Sequence, residues 1–430
     1  MGSISDFVDS SPLPPFRVLI IGGSYGGLSA ALNLCDLCDG LPPRCGPKAK
    51  EGSEPVERPR FTIETTIVDE RDGFFHLIGS PLALADEQYA PKAWVKYADI
   101  PALQTRSNIK VLHGSIQSVD PEQKKAKFIA RGMGVAATEL TYDYLVVASG
   151  LRRVWPVVPQ SSRRKQYLFE VGDHIRAATV GRHGVVVVGG GAVGIEMAAE
   201  LKLVHPHLKV TLVHSRDKLL SSEPLPDDVK DRSLELLREA GVDVLLSHRV
   251  DRTDETVDEY GQSCQRMHFT NGHNLVADHV IMAISQSVPS TSFLPGAVLD
   301  DEGYVRIEAN LSFPAPYSDD HFAIGDLVRW SGIKRCGGAM HMGYLAAHNI
   351  HQRMLYRLGG AEQSRETPVD LTLDEIPPMI GLAVGKKAVA YWPEAGTTSG
   401  EDVMKLFFGE DLGFTICWNH LGLGRSCEQA

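Results

Sequence analysis

The sequence Arg17-Val-Leu-Ile-Ile-Gly-Gly-Ser-Tyr-Gly-Gly27 joins an apolar run to a glycine turn, and a predicted helix over residues 28–37 follows it. A short apolar run that ends at a turn is typical of a fully buried strand. A second predicted strand, Phe61–Val68, ends at Asp69. Strand, glycine turn, helix, strand and acid together predict a dinucleotide-binding βαβ unit. Residues 39–60, which are rich in proline, glycine and charge, predict a surface insertion in this unit.

The same pattern returns later in the chain. Gly184-Val-Val-Val-Val-Gly-Gly-Gly-Ala-Val-Gly194 precedes a predicted helix over 195–204 and a predicted strand over 209–213. In such a turn the first glycine allows a sharp exit from the strand, the second lets the backbone approach a pyrophosphate, and the third lets helix and strand pack closely. The pyrophosphate then lies at the positive end of the helix dipole. The sequence therefore predicts an α/β fold with two Rossmann-like dinucleotide-binding domains.

The two turns differ at one of their three key positions. The second turn has Gly189, Gly191 and Gly194, whereas the first has Gly22, Ser24 and Gly27, so that a serine replaces the middle glycine. One glycine-rich turn alone is a weak signal, because such turns also occur without any ligand. Here both turns follow apolar strands and precede helices, and this context favours nucleotide binding over a simple tight turn.

The residues after the second strand of each unit distinguish the two nucleotides. Asp69 stands where a carboxylate accepts hydrogen bonds from an adenosine ribose. The equivalent place in the second unit holds His214, with Arg216 close behind and no acid. A cation there suits a 2′-phosphate, so the sequence favours NADPH over NADH. The alternative is that Arg216 is a solvated loop residue and that either coenzyme is accepted.

Length and charge exclude several classes of protein. The chain has 430 residues, enough for two or three domains of roughly 150 residues. Its 54 acids exceed its 43 bases, and the net charge of −11 argues against a nucleic-acid or anionic-membrane partner. No apolar run approaches the length of a transmembrane segment. Seven cysteines and an N-terminus without a secretory signal predict free thiols and a cytoplasmic location. A homodimer is left open.

Two further segments are similar to parts of a known flavoprotein superfamily. Tyr142–Gly150 is a predicted strand that runs into Ala148-Ser-Gly150, and His321–Asp326 is a predicted strand that ends in Gly-Asp. With the two glycine turns, they resemble the two-dinucleotide flavoproteins of the pyridine-nucleotide-dependent reductase superfamily. Residues 69–80 and 409–414 are similar to its apoptosis-inducing-factor-like group, which includes the ferroptosis-suppressor-type quinone reductases. The resemblance covers roughly residues 17–420.

The resemblance implies FAD in the first site and NAD(P)H in the second. The pyrophosphate of FAD would lie in the glycine turn, its adenosine end near Asp69, and its ribityl chain near Asp326. The FAD-binding residues that it implies are Gly22, Ser24, Gly26, Gly27, Asp69, Arg71, Ile116, Ala148, Gly150 and Asp326. Those implied for the coenzyme are Gly189, Gly191, Gly194, Glu196, His214 and Arg216. Two alternatives remain: Asp326 as a helix N-cap, and Glu196 as a first-turn acid favoured by the helix dipole.

The resemblance also implies three parts of the chain. Residues 1–155 and 290–370 would form a split FAD domain, and residues 156–289 an inserted NAD(P)-binding domain. Residues 371–430 would form a small C-terminal α+β domain over the flavin face. The apolar segments of this last part predict strands at Met379–Val384, Val389–Trp392 and Phe414–Trp418.

The segment Arg335–Gly343 is a candidate for the acceptor side of the site. It opens a predicted helix over 344–358, whose N-terminus would point at the flavin ring and stabilise negative charge there. His341 is the predicted catalytic residue, because its ordinary pKa suits proton delivery to a reduced acceptor. The alternative is a packed or hydrogen-bonded histidine. Cys336 and His76 are weaker candidates for the same pocket.

A redox-active disulfide is not predicted. Cys35 and Cys38 have C-x-x-C spacing, but disulfide reductases of the superfamily place their pair after the second strand, and residues 72–90 contain no cysteine. The two thiols are therefore expected to be structural. No second Cys/His pair at ligand spacing accompanies them, so no metal site is predicted.

These features predict an FAD-dependent NAD(P)H oxidoreductase. A hydride would pass from NAD(P)H to the flavin, and electrons then to a quinone-like or other conjugated small-molecule acceptor. The alternative is an FAD-dependent tailoring oxidase of specialised metabolism with a degenerate or secondary NAD(P) site. Residues 282–287, where Ser285 replaces a glycine of the family, and residues 335–343 would favour it. A non-catalytic signalling flavoprotein is a third reading, which the acidic charge disfavours.

Overall fold

The computed structural model describes residues 14–46, 60–132, 136–284, 287–359 and 368–424. Residues 1–13, residues 47–59 of the predicted insertion and Ser285 lie outside the described residues.

The described chain alternates strands and helices, as an α/β fold requires. The α-helices are α1 Tyr25–Cys38, α2 Ser80–Ala83, α3 Pro101–Gln104, α4 Arg164–Thr179, α5 Ala192–Val204, α6 Asp227–Glu239, α7 Cys336–Leu358, α8 Glu401–Phe407 and α9 Phe414–His420. Short 3-10 helices lie at Leu77–Gly79, Tyr97–Asp99 and Gly296–Val298. The strands are β1 Phe16–Ile21, β2 Ile63–Asp69, β3 Gly73–Phe75, β4 Trp94–Lys96, β5 Ile109–Asp120, β6 Lys125–Ala130, β7 Thr138–Thr141, β8 Tyr144–Val147, β9 Leu151–Arg152, β10 Val185–Val188, β11 Val210–Val213, β12 Asp243–Leu245, β13 Val250–Val257, β14 Ser263–Phe269, β15 Asn274–Ala277, β16 His279–Met282, β17 Val288–Pro289, β18 His321–Ala323, β19 Ile380–Val384, β20 Lys387–Trp392 and β21 Gly396–Gly400.

The first sheet has seven strands in the order β18-β8-β1-β2-β5-β6-β7. Its central strand β1 pairs in parallel with β2 on one side and β8 on the other, and its apolar residues are buried. Strand β18 pairs in parallel with β8, so the chain returns to this sheet after forming the second one. Helices α1 and α7 pack together on it, where Ser29 Oγ donates a 2.6 Å hydrogen bond to the Met340 carbonyl. The first sheet is therefore built from two separated parts of the chain.

The second sheet has four parallel strands in the order β12-β11-β10-β16, and the antiparallel sheet β13-β14-β15 adjoins it. Its four strands all come from Val185–Met282, between the two predicted segments of the FAD domain. The chain thus forms two Rossmann-like sheets, and the segment that forms the second lies between the two segments that form the first. This arrangement confirms the predicted fold class.

The three helices that follow glycine-rich segments begin earlier than predicted. They start at Tyr25, Ala192 and Cys336, whereas the sequence predicted starts at residues 28, 195 and 344. Some glycines of these helices lie against backbone, whereas Gly337 and Gly338 meet no described atom within 4 Å. A Cβ at Gly343 of α7 would lie 2.6 Å from the Gly26 carbonyl oxygen of α1. The glycine-rich segments therefore form helix, and Gly343 allows α1 and α7 to pack closely.

The C-terminal part contains the one predicted strand that is wrong. Its sheet is β19-β20-β21, and the predicted strand at Phe414–Trp418 lies inside helix α9. Phe414, Cys417 and Leu421 are buried and follow helical spacing, and the Phe414 and Trp418 rings stack at 5.4 Å. This i, i+3, i+4, i+7 spacing is a helix signal that the apolar composition of the segment concealed. Strand β21 was not predicted, because its glycines, threonines and serine give no apolar alternation.

Candidate cofactor and acceptor site

The first glycine turn opens into a cavity, here called the central cavity, whose walls include Ser24, Tyr25, Gly26, Glu196, Asp326 and Cys336. Gly22 has a φ of +105°, and a Cβ there would lie 2.4 Å from the Ala148 carbonyl oxygen. A Cβ at Gly27 would lie 1.8 Å from the Gly22 carbonyl oxygen. Both contacts are with backbone, so no side chain fits at either position. The first amides of α1 have no helical partner and face the central cavity, as a pyrophosphate site requires.

Asp69 stabilises this turn. Its Oδ2 accepts a 2.6 Å hydrogen bond from the Gly23 N–H, and its Oδ1 accepts a 2.7 Å hydrogen bond from the Arg71 N–H. The Tyr97 hydroxyl donates to the Gly23 carbonyl at 2.9 Å. Burial raises the pKa of Asp69, and the Arg71 charge opposes this rise. Each carboxylate oxygen keeps a second lone pair, so the predicted ribose contact remains compatible with this structural role.

Arg71 borders the central cavity and a smaller side cavity lined by Ile116, Asp69, Ser149 and other residues. Its guanidinium donates to the Pro159 carbonyl at 3.2 Å. Its Nε is buried and, within the described part of the chain, has no hydrogen-bond partner. Because a buried N–H without a partner is costly, this atom fits a contact with a ligand oxygen. The side cavity brings the predicted adenosine residues Asp69, Arg71 and Ile116 together.

Asp326 also lines the central cavity, together with Ala148 and Gly150. Burial raises its pKa, and the nearby charges of Arg153 and Lys334 oppose this. No helix begins at Asp326, because the next one, α7, starts at Cys336. The N-cap alternative is therefore wrong. Among the described residues no hydrogen-bond donor satisfies its carboxylate, which leaves it available to sugar hydroxyls.

The N-terminus of α7 faces the central cavity through Arg335, Cys336 and Ala339. The helix has 23 residues, and its unpaired first amides carry partial positive charge. Arg335 Nε is buried with no hydrogen-bond partner among the described residues. A cofactor or substrate with negative charge would be stabilised here. The N-terminus of α7 therefore lies at the cavity, as its predicted approach to the cofactor requires.

His341 is not brought to the central cavity. It is an exposed residue of α7, outside the cavity lining, and its ring centroid lies 6.2 Å from that of Tyr344. Burial of part of the ring lowers its pKa, while Asp374 opposes this. A role in proton delivery stays a prediction that the geometry of the cavity does not support.

Tyr25 is a cavity residue that the sequence analysis did not identify. Its hydroxyl lies 3.0 Å from His76 Nδ1, and His76 Nε2 lies 2.9 Å from the Leu412 carbonyl oxygen. Because a carbonyl only accepts, Nε2 must carry the hydrogen, so Nδ1 accepts from the tyrosine hydroxyl. Burial lowers the pKa of His76 to about 4, which keeps the ring neutral at neutral pH. His76 thus orients Tyr25 from behind the cavity wall.

The second glycine turn repeats the geometry of the first. Gly189 has a φ of +125°, and a Cβ at Gly194 would lie 1.9 Å from the Gly189 carbonyl oxygen. A Cβ at Gly191 would meet no described atom within 4 Å. This open space is where the middle glycine of the motif lets a pyrophosphate approach. The turn therefore fits a second dinucleotide.

Glu196 of α5 connects the two sites, because it lines the same cavity as the first glycine turn. Its Oε1 accepts a 3.4 Å hydrogen bond from the Ala383 N–H. Burial raises its pKa to about 8, so the side chain is protonated at neutral pH. It lies beyond the first turn of α5, and a neutral carboxyl gains nothing from the dipole. The alternative of a first-turn acid is therefore wrong.

His214 and Arg216 have different positions. His214 Nδ1 accepts from the Gly190 N–H at 3.1 Å, and Nε2 lies 3.1 Å from Ser221 Oγ. Burial lowers the pKa of His214, so the ring is a neutral part of the turn and supplies no cation. Arg216 is exposed on the loop after β11. Of the two predicted residues, Arg216 and not His214 is the one that could supply a cation for a 2′-phosphate.

Two dinucleotide turns, one cavity shared between them and a free carboxylate at Asp326 define a flavin- and pyridine-nucleotide-dependent oxidoreductase. The family described as pyridine nucleotide-disulphide oxidoreductase matches residues 16–343, and the chain belongs to this family. The match covers both sheets. FAD and NAD(P)H are its cofactors.

Individual relatives agree with this assignment. The chain is 51% identical over 430 residues to oxidoreductase OXR1 of Ajellomyces capsulatus, with 99% of this chain and 91% of that protein covered. It is 26% identical over 314 residues to ferroptosis suppressor protein 1 of Homo sapiens, with 72% and 73% covered. A structure of NDH2 from Plasmodium falciparum in complex with NADH has a TM-score of 0.66 at 12% identity, covering 96% of this chain and 98% of that one. The resemblance to the apoptosis-inducing-factor-like group is confirmed.

Proposed function

We propose that this enzyme passes electrons from NADPH through FAD to a quinone-like or other flat conjugated acceptor. The observation that carries the proposal is the apolar character of one wall of the central cavity. Phe75, Leu77, Ile78 and Pro81 line this wall. An apolar, partly aromatic wall favours a flat conjugated molecule over a charged one.

The residues of the chain have distinct tasks in this reaction. FAD, when bound, would supply the chemistry of hydride acceptance from the nicotinamide and of electron transfer to the acceptor. Neutral Glu196 would hydrogen-bond the nicotinamide carboxamide and thereby orient the ring. The N-terminus of α7 and Arg335 stabilise negative charge that develops in the cavity. Tyr25 forms part of the cavity wall, and His76 holds its hydroxyl in place.

Anaerobic mixing with NADPH tests the proposal. We expect rapid loss of the visible flavin absorbance, followed by rapid recovery when a soluble benzoquinone or naphthoquinone is added. Recovery with quinone should be at least about tenfold faster than with oxygen, a difference of about 1.4 kcal/mol in barrier. If NADPH leaves the flavin oxidised while an organic substrate reduces it, the enzyme is a tailoring oxidase and the proposal fails.

Ile78→Glu is expected to impair the acceptor half of the reaction. A carboxylate on the apolar wall must be desolvated when a flat acceptor binds, so kcat/KM for quinone should fall more than about tenfold. The rate of flavin reduction by NADPH should change little. Ile416→Glu is the matched control, because Ile416 is 41% exposed and does not line the cavity. Equal losses in both variants would remove the argument from the apolar wall.

Arg216→Ala tests the preference for NADPH. Loss of the guanidinium should raise KM for NADPH by about tenfold, since charge-assisted contacts with phosphate contribute about 1.5–3 kcal/mol. KM for NADH should stay within about twofold, because NADH lacks the 2′-phosphate. Steady-state kinetics with both coenzymes measure this. An unchanged ratio of the two KM values means that Arg216 is only a solvated loop residue.

The location proposed for the enzyme is the cytoplasm, supported by the odd number of cysteines, since free thiols fit a reducing compartment. Across the described ranges, no helix combines the length and hydropathy needed to cross a bilayer. Imaging of a C-terminal fluorescent fusion tests the location. Analytical ultracentrifugation of the holoenzyme distinguishes a monomer from the homodimer that the sequence leaves open.

A further inference from the structure

Two cysteine thiols lie side by side at the edge of the central cavity. Cys336 is the first residue of α7 and lines the cavity, whereas Cys417 lies in α9 of the C-terminal part. Their Sγ atoms are 4.0 Å apart. A disulfide has an S–S separation of about 2.05 Å, so the sulfurs need to approach by about 2 Å. Formation of a disulfide therefore requires the two side chains to rotate towards each other.

We propose that Cys336 and Cys417 form a redox-active pair that exchanges two electrons with the flavin. In the oxidised enzyme the two sulfurs are joined as a disulfide. Reduced flavin supplies two electrons, the S–S bond breaks, two protons are taken up, and two thiols form as the flavin returns to its oxidised state. In the reverse direction the pair loses two electrons and two protons through the flavin to the acceptor. Only this reverse step rests on the proposed function.

The surroundings give the two sulfurs different properties. Hydrogen bonds from the Cys417 thiol and from the Gly337 N–H lower the pKa of Cys336, and burial opposes them. The pKa of Cys417 is raised by the same contact and by burial. Of the two sulfurs, the one with the lowered pKa, Cys336, is the one that lines the cavity. Cys417, whose pKa is raised, lies behind it in α9.

The burial of Cys417 determines what the pair reacts with. It is 3% exposed and packs in the core with Phe414 and Leu421. A disulfide substrate from solution would not reach it, whereas Cys336 borders the cavity in which the flavin binds. Tyr25, which also lines the cavity, lies near both thiols: burial raises its pKa, and smaller electrostatic effects of Cys336 and Cys417 add to the rise. The pair therefore exchanges electrons with the cofactor, as a two-electron store inside the protein.

This position differs from the one that the sequence analysis considered for a redox pair. Residues 72–90, after the second strand, contain no cysteine. Cys35 and Cys38 are buried in α1 and do not line the central cavity, and burial raises the pKa of Cys35 to about 11. The pair at Cys336 and Cys417 is formed by two helices from distant parts of the chain.

Anaerobic titration of the holoenzyme tests the proposal. The protein is first oxidised with ferricyanide, desalted, and then titrated with dithionite while the flavin absorbance is followed. We expect wild type to take up four electrons per flavin, because the flavin and the pair each accept two. Cys336→Ser and Cys417→Ser should each take up two. Cys264→Ser is the matched control, since Cys264 is buried in β14 and outside the cavity lining, and it should keep four.

Thiol counting gives a second readout that does not depend on activity. After denaturation and alkylation with N-ethylmaleimide, oxidised wild type should carry two fewer labels than the dithionite-reduced protein, and a peptide joining Cys336 to Cys417 should appear in mass spectra. Uptake of two electrons by wild type, or equal labelling in both states, overturns the proposal. Alkylation remains informative if a serine variant loses FAD. Four-electron uptake without reoxidation by quinone would instead reject the proposed acceptor and retain the pair.

Discussion

Gly27→Ala is expected to give a protein that is colourless after purification and does not regain flavin on reconstitution. The added methyl group would lie 1.8 Å from the Gly22 carbonyl oxygen, and backbone atoms cannot move aside as a flexible side chain can. The turn and α1 must therefore separate, which moves the amides that face the pyrophosphate. Overpacking of this severity costs about 3 kcal/mol, so FAD binding should weaken about a hundredfold.

Gly194→Ala is the matched variant in the second turn, where the methyl group would lie 1.9 Å from the Gly189 carbonyl oxygen. This protein should stay yellow. NADPH should fail to bleach it, whereas dithionite, which needs no coenzyme site, should bleach it as in wild type. The pair of variants thus separates the two nucleotide sites by colour and by reductant.

Gly296→Ala controls for the general effect of a methyl group, because a Cβ there meets no described atom within 4 Å. It should retain both the flavin and its reduction by NADPH. Absorbance spectra, circular dichroism and the flavin-to-protein ratio check all three variants. If folded Gly27→Ala binds FAD as tightly as wild type, the assignment of the first turn to the flavin is wrong.

Reduction of the flavin by NADPH is expected to slow as the pH rises through about 8, because Glu196 then loses its proton. The pKa of this carboxyl is raised from its ordinary value of 4.5 to about 8 by burial. The protonated form is neutral and donates a hydrogen bond, whereas the carboxylate does neither. Well above this pKa the rate should fall about tenfold per pH unit, as for one essential acid. Glu196→Gln should keep the rate at pH 7 and lose the fall, since an amide also donates.

Glu200→Gln is the matched control for this prediction. Glu200 lies one turn further along α5, is 2% exposed, and its pKa is also raised to about 8 by burial. It does not line the central cavity, so its replacement should leave the pH profile of flavin reduction unchanged. Stopped-flow measurements between pH 6 and about pH 10 check both variants. If the rate of flavin reduction still falls at high pH in Glu196→Gln, the ionisation belongs to another group.

The same two carboxyls affect stability. A carboxyl whose pKa is higher in the folded than in the unfolded protein binds its proton more tightly when folded, so the free energy of unfolding falls as the pH rises from about 4.5 towards 8. Glu200→Gln should weaken this dependence, because an amide has no proton to lose in this range. The Oε1 atom of Glu200 has no hydrogen-bond partner among the described residues, so no contact offsets the loss. Urea unfolding at several pH values measures the effect.

The sequence alone predicted the two dinucleotide units, because their geometry depends on residues close together in the chain. Gly22 and Gly27, like Gly189 and Gly194, meet each other within one turn, so their spacing reports the backbone contact directly. The strand predicted from the apolar run at Phe414–Trp418 was wrong, because the buried residues of this segment follow helical spacing. Helix starts were predicted late, because glycine-rich segments commonly form turns, whereas here they form the first turns of the helices.

Only the tertiary structure decided how distant residues act together. The chain by itself gave the glycine turns, Asp69 and Asp326, since short motifs encode local backbone shape and charge. It gave no sign that Tyr25 lies against His76, that Ala383 contacts Glu196, or that Cys336 meets Cys417 from 81 residues away. Such contacts form only when separate helices and sheets pack, and burial there also sets the pKa values. No spacing along the chain records that packing.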